Sequence, residues 1–109
     1  MRAGQSPVLA WREIRLRILR RDSYRCRACR KRTRGQVHHV VPRRNGGTNH
    51  FSNLITLCGR CHMLVSPVPD WVMYRVWRIP VGAIAFERRR TEVRIEKSLL
   101  QHTPVSVRS

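Results

Sequence analysis

The sequence predicts a small α+β fold in which four cysteines staple short elements together. Three observations carry that expectation. Cys26-x-x-Cys29 and Cys58-x-x-Cys61 form two paired thiol units in a chain of 109 residues. Trp11, Ile14 and Ile18 recur at helical spacing, with Val8 and Leu19 flanking that face. Between the cysteine pairs, Val37 to Val41 reads as a short strand and Leu54 to Leu57 as a second short apolar run.

A chain of this length points to one domain, 1–109. Its core is marginal in size, so a structural metal would help to hold it. Composition is globular, at 41% hydrophobic with three Trp. The charge is extreme: 23 basic residues against 6 acidic ones give a formal +17, with a pI near 11.8. Such a surface binds polyanions in a salt-dependent way, and nucleic acid is the first candidate partner. A ribosomal, membrane-surface or toxin-like protein is the alternative. Residues 1–44 hold 14 basic and 2 acidic residues, and residues 45–109 hold 9 and 4, so the bias lies in the first half.

Of the basic residues 21 are Arg, and the only lysines are Lys31 and Lys97. Arginine suits forked contacts to phosphate. Codon bias in a GC-rich genome is a competing reason for Arg over Lys, but it does not explain the shortage of acids. No stretch approaches about 18 apolar residues, so no transmembrane helix is expected. No apolar signal core opens the chain, and a cytoplasmic protein with reduced thiols is expected. Four cysteines in that setting point to a metal rather than to disulfides.

Along the chain, Ser6-Pro7 is a good helix opening, and a helix is predicted from about Pro7 to Arg21. It covers the core and presents Arg12 and Arg15 to a phosphate backbone. Pro42 to His50 reads as a loop, with turn chemistry at Asn45-Gly46-Gly47. A helix begins near Cys58, carries His62, Met63 and Leu64, and is stopped by Pro67 and Pro69. Residues 7–65 form the core of the fold and 66–109 a mostly helical C-terminal extension. There, Asp70 is placed to cap a helix through Trp77, although Val72, Tyr74 and Val76 also alternate like a strand. Phe86, Val93 and Leu100 fall seven apart, so a packing helix is predicted from about Phe86 to Gln101, followed by a tail of eight residues.

Each C-x-x-C can wrap one side of a tetrahedral Zn²⁺. The 28 residues between the pairs exceed a minimal zinc ribbon, so something is inserted between the knuckles. No thioredoxin-like βαβ pattern surrounds either pair. A Cys₄ set leaves no open coordination position, which makes this zinc structural. The insert holds His38, His39 and Asn53, and His62 follows Cys61 on the next helix. Neighbouring strand residues point to opposite faces, so His38 and His39 cannot easily share one task.

These residues resemble the HNH, or ββα-metal, endonucleases. The matching positions are Cys26-Arg-Ala-Cys29, Val37-His38-His39-Val40-Val41-Pro42, Gly46-Gly47, Asn53-Leu54-Ile55-Thr56-Leu57-Cys58 and Cys61-His62, with Arg21 to Cys26 leading in. The resemblance spans roughly residues 9–65 and is greatest to small stand-alone enzymes of phages and prophages. It implies that His39 is the general base, that His38 and His62 hold the catalytic divalent cation, and that Asn53 orients His39 by holding the loop. Cys26, Cys29, Cys58 and Cys61 match the structural zinc of one branch. It further implies hydrolysis of DNA, nicked or cut through, to 5′-phosphate and 3′-hydroxyl ends. Double-stranded DNA is the expected substrate, no small molecule or membrane is, and phage packaging proteins are a candidate partner.

The chemistry stands beside the resemblance. A neutral imidazole is a competent base near neutral pH. Two imidazoles tolerate Mg²⁺ and suit Mn²⁺, Ni²⁺ or Zn²⁺ better. Arg43 and Arg44 are candidates to clamp phosphate, a merely solvated pair being the alternative. His50 reads as a solvated loop residue or a DNA contact, His102 as a surface residue. His62 in place of Cys61 on the zinc is a further alternative. The competing function is a zinc-knuckle nucleic-acid-binding module without catalysis.

Overall fold

The computed structural model describes the backbone of residues 9–108 and the side chains of residues 9–100. Helix α1 (Trp11–Arg21) leads into the first cysteine knuckle, and strand β1 (Gln36–His39) follows. A loop with two short 3₁₀ turns, Arg43–Asn45 and Phe51–Asn53, returns the chain to β2 (Leu54–Leu57). Helices α2 (Gly59–Val65), α3 (Asp70–Trp77) and α4 (Ile84–Arg108) complete the chain. This is the small ββα fold with a four-cysteine knuckle, an N-terminal helix and a helical extension.

The strands pair antiparallel, with His38 opposite Ile55 and His39 opposite Leu54. All four residues of β2 are buried, because both faces of this strand are covered. On one side Leu54 packs with Ile14 and Ile18 of α1. On the other, Ile55 and Leu57 join Cys26, Ala28, Cys61 and Ile95 of α4. A strand buried on both faces reads as a continuous apolar run, which is why Leu54 to Leu57 shows no alternation.

A buried acid ties these parts together. The Asp22 side chain, 0% exposed, follows the last turn of α1. Its Oδ1 accepts from Arg21 Nε at 2.7 Å and from Arg27 Nη1 at 2.6 Å, and its Oδ2 from Arg21 Nη2 at 2.9 Å and the Thr56 N–H at 3.0 Å. Burial pushes this carboxyl up, but Arg21, Arg27 and the Thr56 N–H outweigh it and hold it below the ordinary carboxylate range. Arg21 Nη2 also donates to the Leu54 carbonyl, and Arg27 Nη2 to that of Ser98. One carboxylate thereby connects α1, the knuckle, β2 and, through Arg27, α4.

Several sequence expectations need correction. The described part of α1 starts at Trp11 behind Ala10, which supplies no side-chain cap. The Ser6-Pro7 opening lies outside the described residues. Residues 70–77 form a helix and not a strand, with Met73 rather than the alternating set buried. Asp70 is not its cap: Pro69 holds that position in an extended conformation, and Asp70 sits in the first turn, where its charge complements the helix dipole. The tail is also revised, since α4 keeps a helical backbone through Arg108. Among the described residues, no helix is long and apolar enough to cross a membrane. The His102 side chain lies outside the described set.

Candidate active site and metal centre

The knuckles meet where β2 ends and α2 begins. Cys58 is the N-cap of α2, and its Sγ accepts from the Cys61 N–H at 3.5 Å. Cys26 Sγ likewise accepts from the N–H groups of Ala28 and Cys29, both at 3.4 Å. The four Sγ atoms lie within 4.8 Å of one another, and Cys29 Sγ stands 3.7 Å from Cys58 Sγ. Tetrahedral thiolates at Zn–S distances of about 2.3 Å stand about 3.8 Å apart, so the donor set fits an ion of that size. Protein charge alone does not let all four thiols ionise. The hydrogen bond with Cys61 draws Cys26 down, and the same contact together with burial pushes Cys61 up. Burial raises Cys29 as well. Four thiols in this arrangement are positioned to hold a metal ion.

The histidines divide as strand alternation requires. His38 turns to α2, where its ring meets His62 edge-on with centroids 5.3 Å apart. A cation bound at about 2.1 Å by one nitrogen of each ring needs centroids about 5 Å apart, so this pair fits a shared ion. Burial, followed by the neighbouring His62 and His39, pulls His38 down to about 4, and burial lowers His62. Both imidazoles are therefore neutral at neutral pH, the form that ligates metal.

Unfolded histidine takes up its proton near 6.5, whereas folded His38 does so only near 4. Between those values the unfolded chain binds more protons, so the stability of the zinc-loaded protein without a second cation falls as pH falls through that window. Imidazole NMR at about pH 5.5 is expected to show His38 still neutral; a His38 titrating at the ordinary value of about 6.5 would contradict this.

His39 turns to α1. Its ring stacks on Trp11, with centroids 5.4 Å apart and planes 15° apart. Its Nε2 lies 2.8 Å from Asn49 Oδ1. An amide oxygen accepts, so Nε2 carries the hydrogen and Nδ1 keeps the lone pair. The Asn53 side chain bonds the loop backbone rather than His39. Its Oδ1 accepts from the Val41 N–H at 2.8 Å, while Nδ2 donates to the carbonyls of Val41 and Thr48 at 3.1 and 2.9 Å. It clips the loop shut, and the loop presents Asn49. Neither Asn49 nor Trp11 carried a signal in the sequence: one sits in a polar run, the other on a helix face that reads as core.

The same loop needs Gly47. A Cβ there would stand 1.7 Å from the Val41 carbonyl oxygen. Gly47→Ala must open the clip and is expected to cost about 1–3 kcal/mol, read as a lowered melting temperature. Full wild-type stability would show that the loop is not closed as described.

Arg43 and Arg44 are exposed on the first 3₁₀ turn, and Arg12 is exposed on α1. Arg15 donates to the carbonyls of Arg34 and Gly35 and so fastens α1 to the approach of β1. His50 caps the second 3₁₀ turn through Ser52. The brevity of α2 is offset by the extension. Leu64 packs with Met73, Ile79 and Ile84, Trp77 Nε1 donates to Met63 Sδ, and Arg88 Nη2 donates to the Val68 carbonyl at 2.7 Å. Residues 70–95 thus hold the helix that carries His62.

The family model described as HNH endonuclease matches residues 26–66, from the first knuckle through α2. The chain is also 31% identical over 52 residues to Anaredoxin of Nostoc sp., a match covering 47% of this chain and 68% of that protein. No solved structure matches. The chain belongs to the HNH endonuclease family.

Proposed function

We propose that this protein is a metal-dependent endonuclease that hydrolyses phosphodiester bonds of double-stranded DNA. The observation that carries the reading is the edge-on approach of two imidazoles, His38 on β1 and His62 on α2, with His39 next along β1 on its opposite face. Family membership supports the same reaction class.

His39 takes the proton from the attacking water at Nδ1, the nitrogen left free by Asn49. Asn49 fixes the tautomer and Trp11 fixes the ring plane. Asn53 keeps the loop closed so that Asn49 stays in place. His38 and His62 would hold one divalent cation, Mg²⁺ or Mn²⁺, with Ni²⁺ or Zn²⁺ also suited to imidazole. Such a cation supplies charge relief at the phosphoryl and leaving oxygens. The four cysteines would hold zinc for structure alone, since a Cys₄ shell is closed. Arg12, Arg43 and Arg44 are exposed cations available to phosphate; Arg15 is engaged with backbone carbonyls.

The test is conversion of supercoiled plasmid by zinc-loaded protein with and without added Mg²⁺ or Mn²⁺. Expected products are nicked or linear DNA bearing 5′-phosphate and 3′-hydroxyl ends, formed only with the added ion. Tight, ion-independent binding that never breaks a strand would replace this reading with a zinc-knuckle binding module.

A further inference from the structure

The first knuckle carries positive charge that the catalytic arrangement does not use. Arg25, Arg30, Lys31, Arg32 and Arg34 are all exposed. Among the described residues none of them has a carboxylate within ion-pair distance. The ion pairs there join Asp22 to Arg21 and Arg27, or fall within residues 60–92. In the first 44 residues the only acids are Glu13 and the buried Asp22. Five cations without counter-charge form a strong positive field at the surface.

The backbone presents them on a fixed frame. Arg25 and Arg32 pair as an antiparallel bridge. Cys26 N–H donates to the Lys31 carbonyl and Thr33 N–H to that of Tyr24, both at 2.8 Å. Cys26 and Cys29 lie in the turn that this bridge closes. A groove opens along it, lined by Ser23, Tyr24, Arg32, Thr33 and Arg34. The Arg34 guanidinium rests 5.8 Å above the Tyr24 ring, which pre-orients it. Helix α4 is a useful contrast. It is also rich in arginine, but Arg89 pairs with Glu92 and Arg90 with Glu87, and Glu96 lies on the same helix.

Position adds to charge. Arg34 precedes His38 by four residues, which at full extension is at most about 14 Å. That reach equals about four base-pair steps of a duplex. A duplex whose backbone reaches the histidines therefore has phosphates within reach of the knuckle.

We propose that the exposed face of the first knuckle is a second phosphate-backbone contact for duplex DNA, engaging it within about four base pairs of the cut. This rests on the nuclease reading for the choice of DNA and for the position of the cut. The contact is to phosphates, so it adds affinity and salt dependence without sequence preference.

The test uses zinc-loaded His39→Ala protein and a fluorescent duplex of about 20 base pairs, without added Mg²⁺ or Mn²⁺, read by anisotropy over a salt series. In that background, Arg30→Gln, Lys31→Gln, Arg32→Gln and Arg34→Gln together are expected to weaken binding at least about tenfold near 0.1 M salt. The slope of log affinity against log salt should shrink by about 0.9 for each phosphate that the protein no longer neutralises. Neutralising Arg89, Arg90, Arg94 and Lys97 makes the same change in net charge and is expected to cost less than about threefold. Equal losses in the two sets would overturn the proposal, because net charge alone would explain them. So would unchanged binding by a knuckle variant that keeps its zinc. If the fourfold variant loses its metal, Arg32→Gln with Arg34→Gln is read instead, against Arg32→Lys with Arg34→Lys, which is expected to retain most binding. Tighter binding of an RNA hairpin than of the duplex would overturn the choice of DNA. Binding is read apart from cutting. A chain that binds through the knuckle but never breaks plasmid fails only the nuclease reading, while one that cuts plasmid yet binds equally well with a neutral knuckle fails only this one.

Discussion

Cys58→Ala is expected to abolish cooperative folding of the zinc-loaded protein. Cys58 is one of the four thiols positioned for the metal, caps α2 and follows β2, so its loss detaches the helix carrying His62 from the strand carrying His38. In small metal domains the binding free energy is folding free energy, about 10–16 kcal/mol apparent for structural zinc. A marginal core of this size cannot replace it. Far-UV circular dichroism and thermal unfolding should show loss of the sharp transition, and stripping the metal from wild-type protein should do the same. A Cys58→Ala variant that melts cooperatively near the wild-type temperature would contradict the structural role of the site.

Asp22→Ala should be the most damaging single change outside the metal site. The carboxylate is fully buried and accepts from Arg21, Arg27 and the Thr56 N–H. Its removal leaves the buried Arg27 guanidinium without its carboxylate. Breaking a buried ion pair from one side costs about 3–5 kcal/mol. Chemical denaturation of the zinc-loaded variant should show that loss, and Asp22→Asn should recover part of it by keeping the shape and some hydrogen bonds. A cost below about 1 kcal/mol would place the pair among surface bridges of little consequence.

Much of the fold is legible in the sequence because its determinants are local. The cysteine spacing, the 3.6-residue period of Trp11, Ile14 and Ile18, and the β2 run Leu54 to Leu57 each depend on neighbours along the chain. The approach of His38 to His62 is legible too, since His38 lies between the cysteine pairs and His62 directly follows Cys61. What stays hidden depends on tertiary contact. Asp22 reads as one acid in a basic stretch, and nothing local says that three donors from separate elements converge on it. The hold of Asn49 on His39 arises only when the loop folds back under Asn53. The segment around Val72, Tyr74 and Val76 alternates like a strand, yet burial of Met73 against Leu64, Ile79 and Ile84 settles it as helix. The knuckle's field is visible as composition, but the absence of facing carboxylates among the described residues is a fact of three dimensions.

The most direct test of the account is plasmid breakage by zinc-loaded wild-type and His39→Ala protein, matched for metal content and melting temperature, with Mn²⁺ added. General-base catalysis contributes about 10²–10⁴ in rate, so the variant should lose that factor while retaining fold, zinc and DNA binding. A His39→Ala protein that cuts at the wild-type rate would contradict the assignment of the base and the hydrolytic mechanism built on it.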